Sequence, residues 1–232
     1  MTIIHNQINR FWSKPTYENF KKHGFVKKVF TINDSEEFIK TGAYLVEEAI
    51  KQMNSHIPWD ESRKFEILLH PRLENIFLAL GTEYFLKGIL LAKGYAINKP
   101  KMGISLAHPI PVSSNKTKLL KTEVQDLSYI KDQIIRTVDF SDFDKSQESE
   151  KIKEKKVNKG KGVRGITSLS VPHPTAKQIL DYLHFKRNFS LHRPFIISEF
   201  SGIVQQELKI LNYIAQKETG ETIKKLSSII HE

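Results

Sequence analysis

The chain has 232 residues, 39% of them hydrophobic and 27% charged, with a formal net charge of +10 at pH 7 and no cysteine. This composition fits a soluble globular protein and excludes a disordered or fibrous one. The missing cysteine also excludes disulfides, a thiolate nucleophile and cysteine-based zinc or iron–sulfur sites.

The N-terminal stretch "MTIIHNQINRFWSKPTYENF" is polar and aromatic by turns and lacks the unbroken apolar run of a signal peptide. Residues 1–33 read as an N-terminal extension in which "GFVKKVFTI" (24–32) is extended. The first helix is expected over 33–56, where Phe38, Gly42, Leu45, Ala49 and Met53 share a face, with Asp34 and Glu37 as a capping-box-like start. Pro71 is expected to open a second, central helix with a stripe of Leu73, Ile76, Phe77, Leu80, Tyr84 and Leu91, closed by Gly94. Leu78, Phe85, Leu86 and Leu90 widen that stripe. Glu83 and Lys87 interrupt it, which argues against a bilayer span; the two read as an exposed i,i+4 pair at the edge of the core. A cytoplasmic protein without membrane contact is therefore expected.

"NKPKMGISLAHPIPVSSN" reads as a long connection, and Leu120, Val124, Leu127, Ile130 and Ile134 mark a third helix from about 117 to 137. A charged insertion at about 140–172 is expected to be mobile. Within it "KIKEKKVNKGKGVR" (151–164) sets seven Lys or Arg against one Glu, which makes it either a solvated loop or a surface for nucleic-acid phosphates. Its "GKGVRGIT" falls short of a phosphate-binding loop because Ile166 stands where the lysine belongs. Helical periodicity returns at Ile179, Leu180, Leu183 and Leu191, with Thr175 as cap and Pro194 as end signal. The last long helix carries Phe200, Ile203, Val204, Leu208, Leu211 and Ile214 and stops at Gly220. A short amphipathic tail, 219–232, packs back on the bundle or against another subunit. Convincing strands are lacking, so the fold class expected is all-α.

Near the end of the helix before Pro194, "KRNFSLHRP" (186–194) gathers Arg187, Asn188 and His192. Arginine offers a fixed-charge fork for phosphate, histidine moves a proton near neutral pH, and asparagine orients a ring or a substrate. Asn188 and His192, four apart, share a helical face, while Arg187 lies about 140° round from His192. The plain alternative is a polar helix end with a C-terminal cation favoured by the helix dipole. His184, two turns before His192 on a similar face, could line the same cleft, but its first reading is an amphipathic surface histidine. His108 and His173 each precede a proline without a ligand-spaced partner, so no metal site is expected.

"RNFSLH" resembles the signature of HEPN domains (higher eukaryotes and prokaryotes nucleotide-binding), in which an arginine, usually followed by a polar residue, precedes a histidine by four to six residues. "LALGTEYFLKGILLAKGY" is similar to their second helix. The resemblance spans roughly 34–137 and 173–218 and implies an up-and-down helical bundle, here a domain over 34–218 with an N-terminal extension and the long charged insertion. It further implies a metal-independent endoribonuclease, of the kind found in defence or toxin biology, acting as a homodimer on RNA without a cofactor. Arg187, Asn188 and His192 are then the catalytic set. Lys153, Lys155, Lys156, Lys159, Lys161, Arg164, Lys186 and Arg193 are candidate RNA contacts. Family members often carry a tyrosine two residues after the histidine, the residue that some antitoxins nucleotidylate. Pro194 stands there in this chain, a departure that leaves the histidine chemistry open and speaks against regulation by such an antitoxin, so any regulatory partner is unidentified. The alternative function is a non-catalytic module that binds RNA or a nucleotide or serves as a scaffold. A helical interaction protein with an accidental motif is the third reading.

Overall fold

The computed structural model describes the backbone of residues 29–54, 64–101, 119–160, 173–192 and 201–228, and the side chains of 29–54, 74–101, 119–151, 173–188 and 205–228. A 3-10 turn (Ile32–Asp34) leads into α1 (Ser35–Asn54). There follow α2 (Lys64–Ala92), β1 (Asn98–Pro100), β2 (Leu120–Val124), α3 (Leu127–Thr137), α4 (Ser141–Gly160), α5 (Ala176–His192), α6 (Ser201–Thr219) and α7 (Ile223–Ser228). The described chain is thus mostly helical, with one small antiparallel pair, β1–β2.

The α2 helix is the centre, packing against α1, α3 and α5. Its Leu78, Phe85, Leu86, Ile89, Leu90 and Leu91 are fully or almost fully buried together with Val46, Ile130, Ile134, Leu180 and Leu183. The closest approach is between α1 and α2. A Cβ added to Gly42 would lie 2.3 Å from the Phe85 backbone nitrogen, and one added to Gly81 would lie 2.8 Å from that of Val46. The absence of side chains at these two positions lets the backbones touch.

Several boundaries depart from the sequence reading. The capping box lies three residues earlier than expected: the Thr31 N–H donates to Asp34 Oδ2 at 2.8 Å and serves the 3-10 turn. Helix α2 begins at Lys64, so Pro71 sits inside it rather than at its start. Proline withholds one helical donor, and the favourable helix formers on both sides carry the helix past it. Gly94 closes α2 as expected: at φ +80° it lets its own N–H reach the Leu91 carbonyl (2.8 Å) and the Tyr95 N–H reach that of Leu90 (2.9 Å).

The helix expected from about 117 instead starts at Leu127, where the Asp126 side chain accepts from the Tyr129 N–H at 3.1 Å. Before it, residues 120–124 form β2, which pairs Val124 with Asn98 and Leu120 with Pro100. The described chain is largely α-helical, as expected, and this pair is the one small sheet among the described residues. The buried Asn98 side chain also accepts from the Phe30 N–H at 2.8 Å, which ties the start of the described chain to the sheet.

Of the insertion expected at about 140–172, residues 141–160 form a helix, Ser141–Gly160, and 161–172 lie outside the described residues. Phe140, Phe143 and Gln147 are buried, and the Gln147 amide donates to Gln206 Oε1 of α6 at 2.9 Å. Thr175 caps α5 as read from sequence, its N–H donating to Gln178 Oε1 at 2.9 Å. The tail helix α7 folds back on α1 through Ile223 and Leu226.

Candidate functional site

Helix α5 presents two consecutive cations to opposite neighbours. On one side the Arg187 Nε donates to Glu83 Oε2 of α2 at 3.0 Å. On the other the Lys186 Nζ donates to Glu207 Oε2 of α6 at 3.1 Å. Successive helical residues diverge by about 100°, so each cation meets a different helix. An ion pair between Lys131 of α3 and Asp181 adds a third tie to α5.

Glu83 is shared. Lys87, one turn on along α2, donates to its Oε1 at 2.5 Å, and both residues are 8% exposed. The pair expected at the exposed edge of the core is therefore buried. Each residue occupies a place on the apolar stripe of α2, and each charge is compensated on the spot, as burial requires.

From Arg187 the network continues along α5. Arg187 Nη1 lies 3.1 Å from Asn188 Oδ1, and Asn188 Nδ2 lies 3.0 Å from His184 Nε2. His184 is thus a half-buried member of the network and not an isolated surface histidine. Residues 184, 188 and 192 recur every four positions, so the backbone of α5 sets His192 on the same stripe one turn beyond Asn188. The His192 side chain lies outside the described residues.

The structure thus joins Arg187 to Asn188 and adds Glu83, Lys87 and His184, which the motif alone does not include. Arg187 keeps N–H groups beyond the two engaged here, on a side chain that is 22% exposed. It can offer a ligand oxygen a rigidly held positive fork.

The predicted RNA contacts divide. Lys153, Lys155, Lys156 and Lys159 fall on the helical backbone of α4, with their side chains outside the described residues. Lys161, Arg164 and Arg193 lie outside the described residues altogether. Lys186 turns inward onto Glu207, which corrects its reading as a surface contact.

Glu207 itself was not singled out from sequence. It is fully buried, burial pushes its carboxyl pKa up, and Lys186 partly offsets that. Its Oε1 has no hydrogen-bond partner among the described residues. The signal that could have found it is its spacing, since Glu207 sits on the stripe that contains Ile203, Ile210 and Ile214.

Among the described residues, no three His, Asp or Glu side chains gather in a way that could hold a metal ion. One stretch, Glu74–Ala92, is apolar and long enough to cross a membrane by length and composition, and 67% of it is buried inside the protein. Compared with models of known protein families, with curated proteins and with solved structures, the chain finds no match.

Proposed function

We propose that the protein is a metal-independent endoribonuclease of the HEPN type, working as a homodimer that brings two copies of the α5 motif to one cleft. The observation that supports this best is Arg187, a guanidinium fixed at two points, by Glu83 and by Asn188, next to the stripe of His184, Asn188 and the His192 position. A phosphodiester oxygen seated on such a fork meets a positive charge that needs no reorganisation as negative charge develops.

In the proposed reaction the ribose 2′-hydroxyl attacks the adjacent phosphorus. The bond from phosphorus to O2′ forms, the bond to the 5′-oxygen breaks, and His192 takes the hydroxyl proton and delivers a proton to the leaving 5′-oxygen. Arg187 stabilises the equatorial oxygens and Asn188 holds the geometry. The products carry 2′,3′-cyclic phosphate and 5′-hydroxyl ends.

The test is incubation of the pure protein with mixed RNA, with and without a chelator, beside the Arg187→Ala and His192→Ala variants. Each substitution is expected to lower cleavage by about 100-fold or more with helicity unchanged. A chelator is expected to have no effect, and a 2′-deoxyribose at the cut site to abolish reaction. Cleavage that persists in both variants removes this assignment. RNA binding without cleavage by wild type points to the non-catalytic module instead.

A further inference from the structure

We infer that Glu83 is the positioning residue of this site, fixing through Arg187 and Asn188 which nitrogen of His184 carries the proton. This rests on reading the α5 face as the active one.

Arginine donates hydrogen bonds and accepts none. The Asn188 atom 3.1 Å from Arg187 Nη1 must then be the amide oxygen, and the amide nitrogen must face His184. An amide nitrogen donates, so His184 Nε2 accepts at 3.0 Å and holds a lone pair. A neutral imidazole with its lone pair on Nε2 carries its proton on Nδ1.

The polarity of this chain is set at its far end. Glu83 Oε2 receives the Arg187 Nε–H at 3.0 Å, while Glu83 Oε1 is held by Lys87 at 2.5 Å. At 8% exposure and bonded on both oxygens, Glu83 is anchored in the centre of the bundle. The carboxylate on α2 thereby fixes the guanidinium, the guanidinium fixes the amide, and the amide fixes the imidazole. His184 is kept as an acceptor on the stripe shared with Asn188 and His192. Neither Glu83 nor His184 belongs to the arginine–histidine motif, so the sequence pattern alone would not have joined them.

The experiment reads the imidazole tautomers of the full chain by two-bond 1H–15N correlation in the neutral form, with the His184 signal assigned by its loss in His184→Gln. Wild type is expected to show His184 protonated on Nδ1. In Glu83→Gln the amide is released from its fixed orientation, and a mixture of both tautomers is expected. In Asn188→Asp the new side chain only accepts, so the proton is expected on Nε2. Where Glu83→Gln does not fold, E83Q/K87M removes the cation left behind and gives the same readout. An Nε2-protonated His184 in wild type, or an unchanged tautomer in the folded Glu83 variant, overturns the proposal. RNA cleavage is scored separately, with kcat expected to fall about tenfold or more and KM to hold in the Glu83 variant. A wild type that cleaves no RNA yet shows the Nδ1 tautomer and its response removes the ribonuclease reading and supports the relay.

Discussion

Glu83 and Glu207 are both buried glutamates bonded to cations, but the local chemistry differs. Glu83 has two cationic donors, one on each oxygen, whereas Glu207 has Lys186 on one oxygen only. Burial therefore raises the Glu207 pKa, chiefly by desolvation, with Lys186 opposing. A carboxyl whose folded pKa is raised contributes stability that is complete below its unfolded value of 4.5 and is lost as pH rises through the folded value. Comparing Glu207→Gln with wild type by urea midpoint across a pH series should show the wild type losing ground to the variant as pH rises above 4.5, until the folded carboxyl has ionised. A constant gap would refute the raised pKa. Asp139 runs the other way. The Ser141 hydroxyl and N–H and the Lys217 amine all bond it, which holds its carboxyl well below its ordinary 3.8. Its contribution is present above that value and fades in acid, so Asp139→Asn should differ from wild type at pH 6 and converge with it as pH falls below about 4. Arg187 and Asn188 are legible in the sequence because they are unusual together, whereas a lone Glu among helical residues, such as Glu207, reads as solvated. Its place on an apolar stripe was the available signal, and Glu83, Lys87 and Gln147 share it.

Elements were legible where one face is apolar at a 3.6-residue period, and illegible where polar groups are buried or where pairing is non-local. The stripes of α1, α2, α5 and α6 obey the first condition, and Thr175, Gly94 and Gly220 mark their ends. Helix α4 fails it. Its core contacts are Phe143 and a glutamine paired to another glutamine, so a count of apolar residues sees only a charged insertion. The β1–β2 pair joins segments some twenty residues apart, and β2 exposes three residues in succession, which erases the alternation that announces a strand. The glycines of the α1–α2 crossing were visible as letters, but their reason was not, because close approach depends on the partner helix. Gly42→Ala tests that contact. Its Cβ would meet Phe85 backbone that belongs to the central helix and cannot swing aside, so a loss of about 2 kcal/mol or more is expected in denaturant unfolding. Gly94→Ala meets open space and is strained only by its φ of +80°, so about 1 kcal/mol is expected there.

At the scale of the whole molecule, the lysines concentrated on residues 151–164 are the candidate surface for the proposed RNA binding. On the helical backbone of α4, positions 155, 156 and 159 fall within one face and so form a stripe of positions along the helix. If this stripe meets phosphates, neutralising Lys153, Lys155, Lys156, Lys159 and Lys161 together should weaken RNA binding regardless of sequence and flatten its salt dependence, with little change in stability. An unchanged salt slope would return the stripe to a solvated surface. The proposed homodimer makes a separate demand. Each chain supplies one Arg187 and one His192, and a composite cleft needs only one of each from its two walls. Mixed under conditions that exchange subunits, the Arg187→Ala and His192→Ala proteins form heterodimers in which one chain carries the arginine and the other the histidine. Some heterodimers should then recover cleavage that neither parent shows, and the gain should depend on exchange. A mixture that stays inactive although exchange is demonstrated would mean that one arginine and one histidine from opposite walls do not make a working site.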